Sequence, residues 1–162
     1  RGDLKTFLYF GFFTGMRSGE ILALDWSDID FKDKTVSISK NKTQFGIGLP
    51  KNKKTRVIPL INKLAEYLAP IKKDKGLIFD TYYLAINRQM RALCERLGFF
   101  FEGLHNTRHT FASLMLQAKE NPLLVVRFLG HADMTMLNKV YAHYLEDIDD
   151  CNRFSTLLTH TA

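Results

Sequence analysis

Cysteine is scarce in this chain: Cys94 and Cys151 are its only two thiols in 162 residues. Each falls in an apolar, helix-patterned stretch, which excludes a disulfide-stapled scaffold and suits a reducing, cytoplasmic compartment. No segment has the form of a signal peptide and no run of 18 apolar residues occurs, so a membrane partner is not expected. Zinc-type Cys/His spacing, carboxylates paired for two metals, a Gly-rich loop ending in Gly-Lys-Ser/Thr and a Gly-x-Ser-x-Gly elbow are all missing. Neither a metal nor a cofactor is therefore expected. There is also no internal repeat, low-complexity tract or linker, and the chain opens Arg-Gly-Asp-Leu without an initiator Met.

What remains is one domain's worth of chain, 46% apolar, with a net charge of +6 from 23 basic and 17 acidic residues. Such a balance suits a polyanionic partner, although charge alone fits any basic soluble protein equally well. Residues 3–16 are apolar nearly all round and predict a buried helix, which Gly15 ends. Ser18 is placed to cap the next short helix, with Glu20 in its first turn. Alternation predicts strands at 35–39 and 55–60, with a third short strand around 44–49 in the intervening hairpin. Helices are expected at 62–69, 82–97 (ended by Gly98), 107–118, 122–129 (Asn121 as cap, Pro122 in the first turn), 134–144 and 147–158. Phe99, Phe100 and Phe101 read as core or domain contact. The predicted fold class is α+β, mainly helical with a small three-stranded antiparallel sheet.

Several scattered residues share a chemistry. Arg17, at a helix-to-helix corner, and Arg108 carry planar guanidinium forks that suit the two non-bridging oxygens of a phosphodiester. His105 lies three residues before Arg108, on the same side of a helix, where it can accept a proton from an attacking hydroxyl. His131, after Gly130, can donate to phosphate from a corner between helices. His109 is assigned to packing. A tyrosine on the helix beyond, Tyr141 or Tyr144, can serve as nucleophile. Forming its phenolate at pH 7 costs roughly 4 kcal/mol, which a cationic pocket and concerted proton removal offset. A lysine in the hairpin (Lys40, Lys42, Lys51, Lys53 or Lys54) can protonate a departing oxygen.

Three runs carry a resemblance: Thr14-Gly-Met-Arg-Ser-Gly-Glu-Ile-Leu-Ala-Leu-Asp-Trp-Ser-Asp-Ile-Asp30, Leu104-His-Asn-Thr-Arg-His-Thr-Phe-Ala-Ser113, and Leu129-Gly-His-Ala-Asp133 continuing to Tyr141. Together they resemble the catalytic domain of tyrosine recombinases, the integrases of phages and conjugative elements. Asn106 and Thr107 depart from the family's more usual Asp and Leu. The resemblance implies that residues 1–162 are one catalytic domain, with the family's N-terminal core-binding domain absent. It also implies that Tyr141, ten residues after His131, is the nucleophile. Tyr141 would form a 3′-phosphotyrosyl bond, with Arg17, Arg108 and His131 on the phosphate and His105 assisting proton removal. The run Pro50-Lys51-Asn-Lys-Lys-Thr-Arg-Val-Ile-Pro-Leu60 resembles the family's lysine-bearing strand, which points to Lys51 as the acid. Glu20 matches an acidic position that would orient the arginine corner. Double-stranded DNA is the implied partner, with the full protein a homo-tetramer on it, cytoplasmic and nucleoid-associated. A type IB topoisomerase-like enzyme and a catalytically inactive DNA-binding module of the same fold are the other readings.

Overall fold

The computed structural model describes residues 2–49 and 55–130. Its first helix, α1 (Gly2–Thr14), turns Phe7, Phe10, Gly11 and Thr14 inward. Phe7 and Phe10 meet Phe79 edge-on, with ring centroids 6.5 and 6.0 Å apart. That orientation sets the positive rim of one ring against the negative face of the next. Apolarity on every side predicted burial on every side. Instead, Leu4, Leu8, Phe12 and Leu93 border an open groove along the outer face of α1. Its inner face lies so near α5 (Asn106–Gln117) that a Cβ on Gly11 would stand 2.8 Å from Thr107 Oγ1.

Gly15, at φ +61°, turns the chain into α2 (Ser18–Leu22). A side chain there would be strained by that backbone and would also strike Phe111. The expected Ser18 cap is not used. Arg17 occupies the N-cap in an extended conformation, because the Glu20 carboxylate reaches back to accept the Arg17 N–H at 2.9 Å. This is the acidic half of a capping box.

Five short strands follow in chain order: β1 (Ile29–Asp30), β2 (Thr35–Ile38), β3 (Asn41–Thr43), β4 (Gly46–Gly48) and β5 (Arg56–Pro59). β2 is central in an antiparallel sheet, with Val36 opposite Ile29 on one side and Ile58 on the other. The third strand is thus β1, not the segment at 44–49. Among the described residues, β3 and β4 pair with each other in a separate hairpin, Asn41 opposite Gly48. The small antiparallel sheet within a mainly helical chain is otherwise the α+β class that the sequence predicts.

Among the described residues, the remaining helices are α3 (Asn62–Leu68), α4 (Tyr83–Leu97), α5 and α6 (Pro122–Leu129). Asn121 caps α6 by accepting the Leu123 N–H at 2.8 Å, and Pro122 fills the first turn, as expected. Phe99 and Phe100 are exposed, the latter by 88%, so they are not core; Phe101 packs half-buried beneath Arg91. The helices predicted at 134–144 and 147–158 lie outside the described residues. Among those described, no helix is long and apolar enough to cross a membrane.

Candidate active site

The site is built around a carboxylate in the interior. Glu20 is 2% exposed, and a buried carboxylate without partners would cost several kcal/mol. Arg56 supplies a fork: Nη1 donates to Oε1 at 2.9 Å and Nη2 to Oε2 at 2.7 Å. Arg17 adds Nη1 on Oε1 at 3.3 Å and its backbone N–H on Oε2. Burial alone would raise the Glu20 pKa. The hydrogen bonds and charge of Arg56, then the backbone and charge of Arg17, outweigh it and hold the group below its ordinary 4.5.

Arg56 reaches inward because it sits two residues from buried Ile58 on β5, and alternate strand residues share a face. Its Nε donates to the Phe128 carbonyl at 3.0 Å, so one guanidinium ties β5 to both α2 and α6. Sequence reasoning missed Arg56. The available signal was an arginine in the inward register of a strand, which needs an acid to face.

Arg108, on α5, is 1% exposed. Nη1 donates to the Gly15 carbonyl at 2.5 Å and Nη2 to the Leu129 carbonyl at 2.6 Å. The left-handed turn at Gly15 is what aims the first of these carbonyls. Burial and then the Arg17 charge pull Arg108 down to about 9, with Glu20 opposing and Arg56 adding to the fall. The group remains cationic at neutral pH. Among the described residues, Arg56 and Arg17 thus bind the Glu20 carboxylate, and Arg108 lies within electrostatic reach of it.

This centre borders an open cleft of about 670 Å³, lined by Arg17, Lys42, Phe45, Tyr82, Tyr83 and His105 among others. His105 directly precedes α5, at its N-cap. Burial first, then the charges of His109, Arg108 and Arg17, lower its pKa below 6.5, which favours the neutral, proton-accepting imidazole. His109 stands edge-on to it, with ring centroids 5.0 Å apart.

Of the predicted site residues, the structure brings Arg17 and His105 to one cleft and sets Arg108 in the interior, within electrostatic reach of Arg17. Lys51, His131 and Tyr141 lie outside the described residues, as do Lys53, Lys54 and Tyr144. Among the other lysine candidates, Lys40 pairs with Asp28 at 2.6 Å, while Lys42 lines the cleft and donates to the Thr81 carbonyl at 2.7 Å.

A sequence model of the phage integrase family matches residues 3–147. The chain belongs to the phage integrase family. The integrase of Staphylococcus phage L54a is 30% identical over 164 residues, covering 84% of this chain and 46% of that protein. The ICEBs1 integrase of Bacillus subtilis is 28% identical over 163 residues, covering 86% of this chain and 44% of that protein. The chain thus spans less than half the length of these curated relatives. In fold it is similar to the Tn1549 transposon integrase, solved in complex with a circular intermediate DNA. There the TM-score is 0.71 at 21% identity, covering 94% of this chain and 57% of that one. The catalytic domain of bacteriophage HP1 integrase gives a TM-score of 0.68 at 22% identity, covering 95% and 80%.

Proposed function

We propose that residues 1–162 act as one catalytic domain of a site-specific DNA recombinase, cutting and rejoining double-stranded DNA in the cytoplasm. The observation that carries this reading is the arrangement of Arg17 and Arg56 on the Glu20 carboxylate, with Arg108 within electrostatic reach, beside a cleft holding a histidine biased towards its neutral form. Such a centre suits a phosphodiester, whose negative charge grows as phosphorus becomes five-coordinate.

In this mechanism the Tyr141 oxygen attacks phosphorus and the P–O5′ bond breaks. The phenolic proton passes to His105, and Lys51 supplies a proton to the departing 5′-oxygen. The products are a 3′-phosphotyrosyl linkage and a free 5′-hydroxyl. A 5′-hydroxyl from a second strand then attacks the linkage, restores the tyrosine and seals the exchanged strands, so the bond energy is conserved. Arg17, Arg108 and His131 hold the phosphate throughout, and charge neutralisation by guanidinium requires no metal. The full protein works as a homo-tetramer on paired sites. Its membership of the phage integrase family supports this reading, as do relatives named as integrases of phages and mobile elements.

The test is a nicked suicide duplex, from which the short fragment bearing the free 5′-hydroxyl diffuses away after cleavage, incubated with the protein in EDTA. The wild-type chain is expected to give a denaturation-resistant protein–DNA band and Tyr141→Phe none. An adduct that persists in the variant would transfer the role to another tyrosine, Tyr144 first. No adduct from wild type would remove the proposed activity.

A further inference from the structure

We propose that Arg56 is a positioning residue for Arg17, acting through Glu20 without touching DNA. This rests on the reading of the cleft as a strand-cleavage site. Arg56 takes both Glu20 oxygens, at 2.9 and 2.7 Å, whereas the Arg17 guanidinium meets one of them at 3.3 Å. The plane and position of the carboxylate are therefore set by Arg56, and Arg17 is placed against a carboxylate already held. Glu20 also accepts the Arg17 N–H, so both ends of Arg17 refer to the same group.

Arg56 is fixed in turn. Its fork points to α2, its Nε holds the Phe128 carbonyl, and its stem packs beside Gly130, where an added Cβ would lie 3.5 Å from Arg56 Cδ. One side chain thus sets the first arginine corner relative to the last turn of α6, immediately before His131 in the sequence. Its planar five-donor fork is what allows three simultaneous bonds; a lysine carries the charge but not the geometry. Without the fork, Glu20 keeps only Arg17 among its described partners, and the buried carboxylate draws that guanidinium onto itself and away from a phosphate.

The experiment compares wild type, Arg56→Lys and the paired change Glu20→Met/Arg56→Met, each checked for folding by circular dichroism. The paired change removes both charges together, which proteins tolerate with little loss of stability. Adduct formation is followed in single turnover at saturating suicide duplex, and duplex affinity is measured separately. Both variants should cleave about 100-fold more slowly, the scale of one lost transition-state donor, while duplex Kd moves less than about 3-fold, well under the ~1.4 kcal/mol of a tenfold change. The second readout replaces the scissile phosphate with an uncharged methylphosphonate. A centre that no longer needs to neutralise charge loses its dependence on Arg17 placement, so variant and wild type should converge.

Equal cleavage by Arg56→Lys and wild type would overturn the proposal, as would a deficit unchanged on methylphosphonate. A loss confined to duplex affinity would also overturn it, because Arg56 would then be a DNA contact. If both variants unfold, Arg56 holds the fold and not Arg17, and the proposal fails. Absence of adduct from wild type is a different result: it removes the cleavage reading itself, and this inference with it.

Discussion

Glu20, Arg56 and Arg108 carry ionic groups into the interior, while Phe45, Ile47 and Leu49 carry apolar side chains into solvent on the neighbouring hairpin. The two regions differ in how they are held. Two guanidinium groups of the centre reach elements distant in sequence: Arg56 joins β5 to α2 and α6, and Arg108 joins α5 to the Gly15 turn and the end of α6. Among the described residues, the hairpin is fastened near its base. There a Cβ on Gly19 would stand 2.8 Å from the Lys42 carbonyl oxygen, and Lys42 Nζ reaches Thr81. A change in the centre must propagate through several elements; a change at the hairpin tip has nothing to propagate through. Burial of charge here marks mutual dependence, and exposure of apolar groups marks independence.

The sharpest break of that contrast is Glu20→Ala. It leaves the part-buried Arg56 fork without its carboxylate, a loss of about 3–5 kcal/mol by analogy with other broken buried pairs. Urea denaturation at pH 7 measures it, and a loss below about 1 kcal/mol would mean that the centre is not interdependent. The same titration in acid carries a signature. The folded-state pKa of Glu20 lies below the ordinary 4.5, so the unfolded chain takes the proton first. The contribution of Glu20 is complete above about 4.5 and fades as pH falls through the folded-state value. Wild type should lose stability over that window relative to the variant.

Which of this was legible in the sequence follows the same division. Local signals were read correctly: Asn121 and Pro122 opening α6, Gly98 closing α4, and the alternation of Val36 and Ile38. Arg17 and His105 were found because each sits in a short run with a recognisable pattern. Arg56 was not, because its meaning depends on Glu20, 36 residues away, and on a carbonyl at Phe128. The third strand was misplaced for a related reason. Ile29 and Asp30 make too short a run to register as a strand, and they become one only by pairing with Val36 and Thr35. The buried role of Arg108 was equally hidden, since the Gly15 and Leu129 oxygens it donates to are backbone carbonyls, which any residue could supply.

A smaller effect tests the edge of the centre, where it opens to the cleft. His105 has a folded-state pKa below 6.5, so the unfolded chain binds its proton more readily. Stability contributed by this difference is lost as pH falls from 6.5 towards the folded-state value, and none is lost above 6.5. His105→Gln should flatten that segment of the stability–pH curve. If His105 accepts the tyrosine proton, adduct formation by wild type should show an acid limb with its midpoint below 6.5, and the variant should lack that limb. An acid limb retained in the variant would assign the titrating group elsewhere.

The least effect is expected at the hairpin tip. Phe45 is 92% exposed, so Phe45→Ser returns almost no apolar surface to water, and Gly46 beside it already supplies the turn at φ +119°. Thermal or urea unfolding should move by no more than about 0.5 kcal/mol, the range of surface substitutions remote from special features. This small number bears on the comparison as much as the large one at Glu20. The side chain also lines the cleft wall beside Arg17, so a near-zero change in stability leaves any change in DNA affinity attributable to the surface itself. Were the substitution to cost more than about 1 kcal/mol, the tip would have to pack on the body of the protein, and the two regions would not be independent.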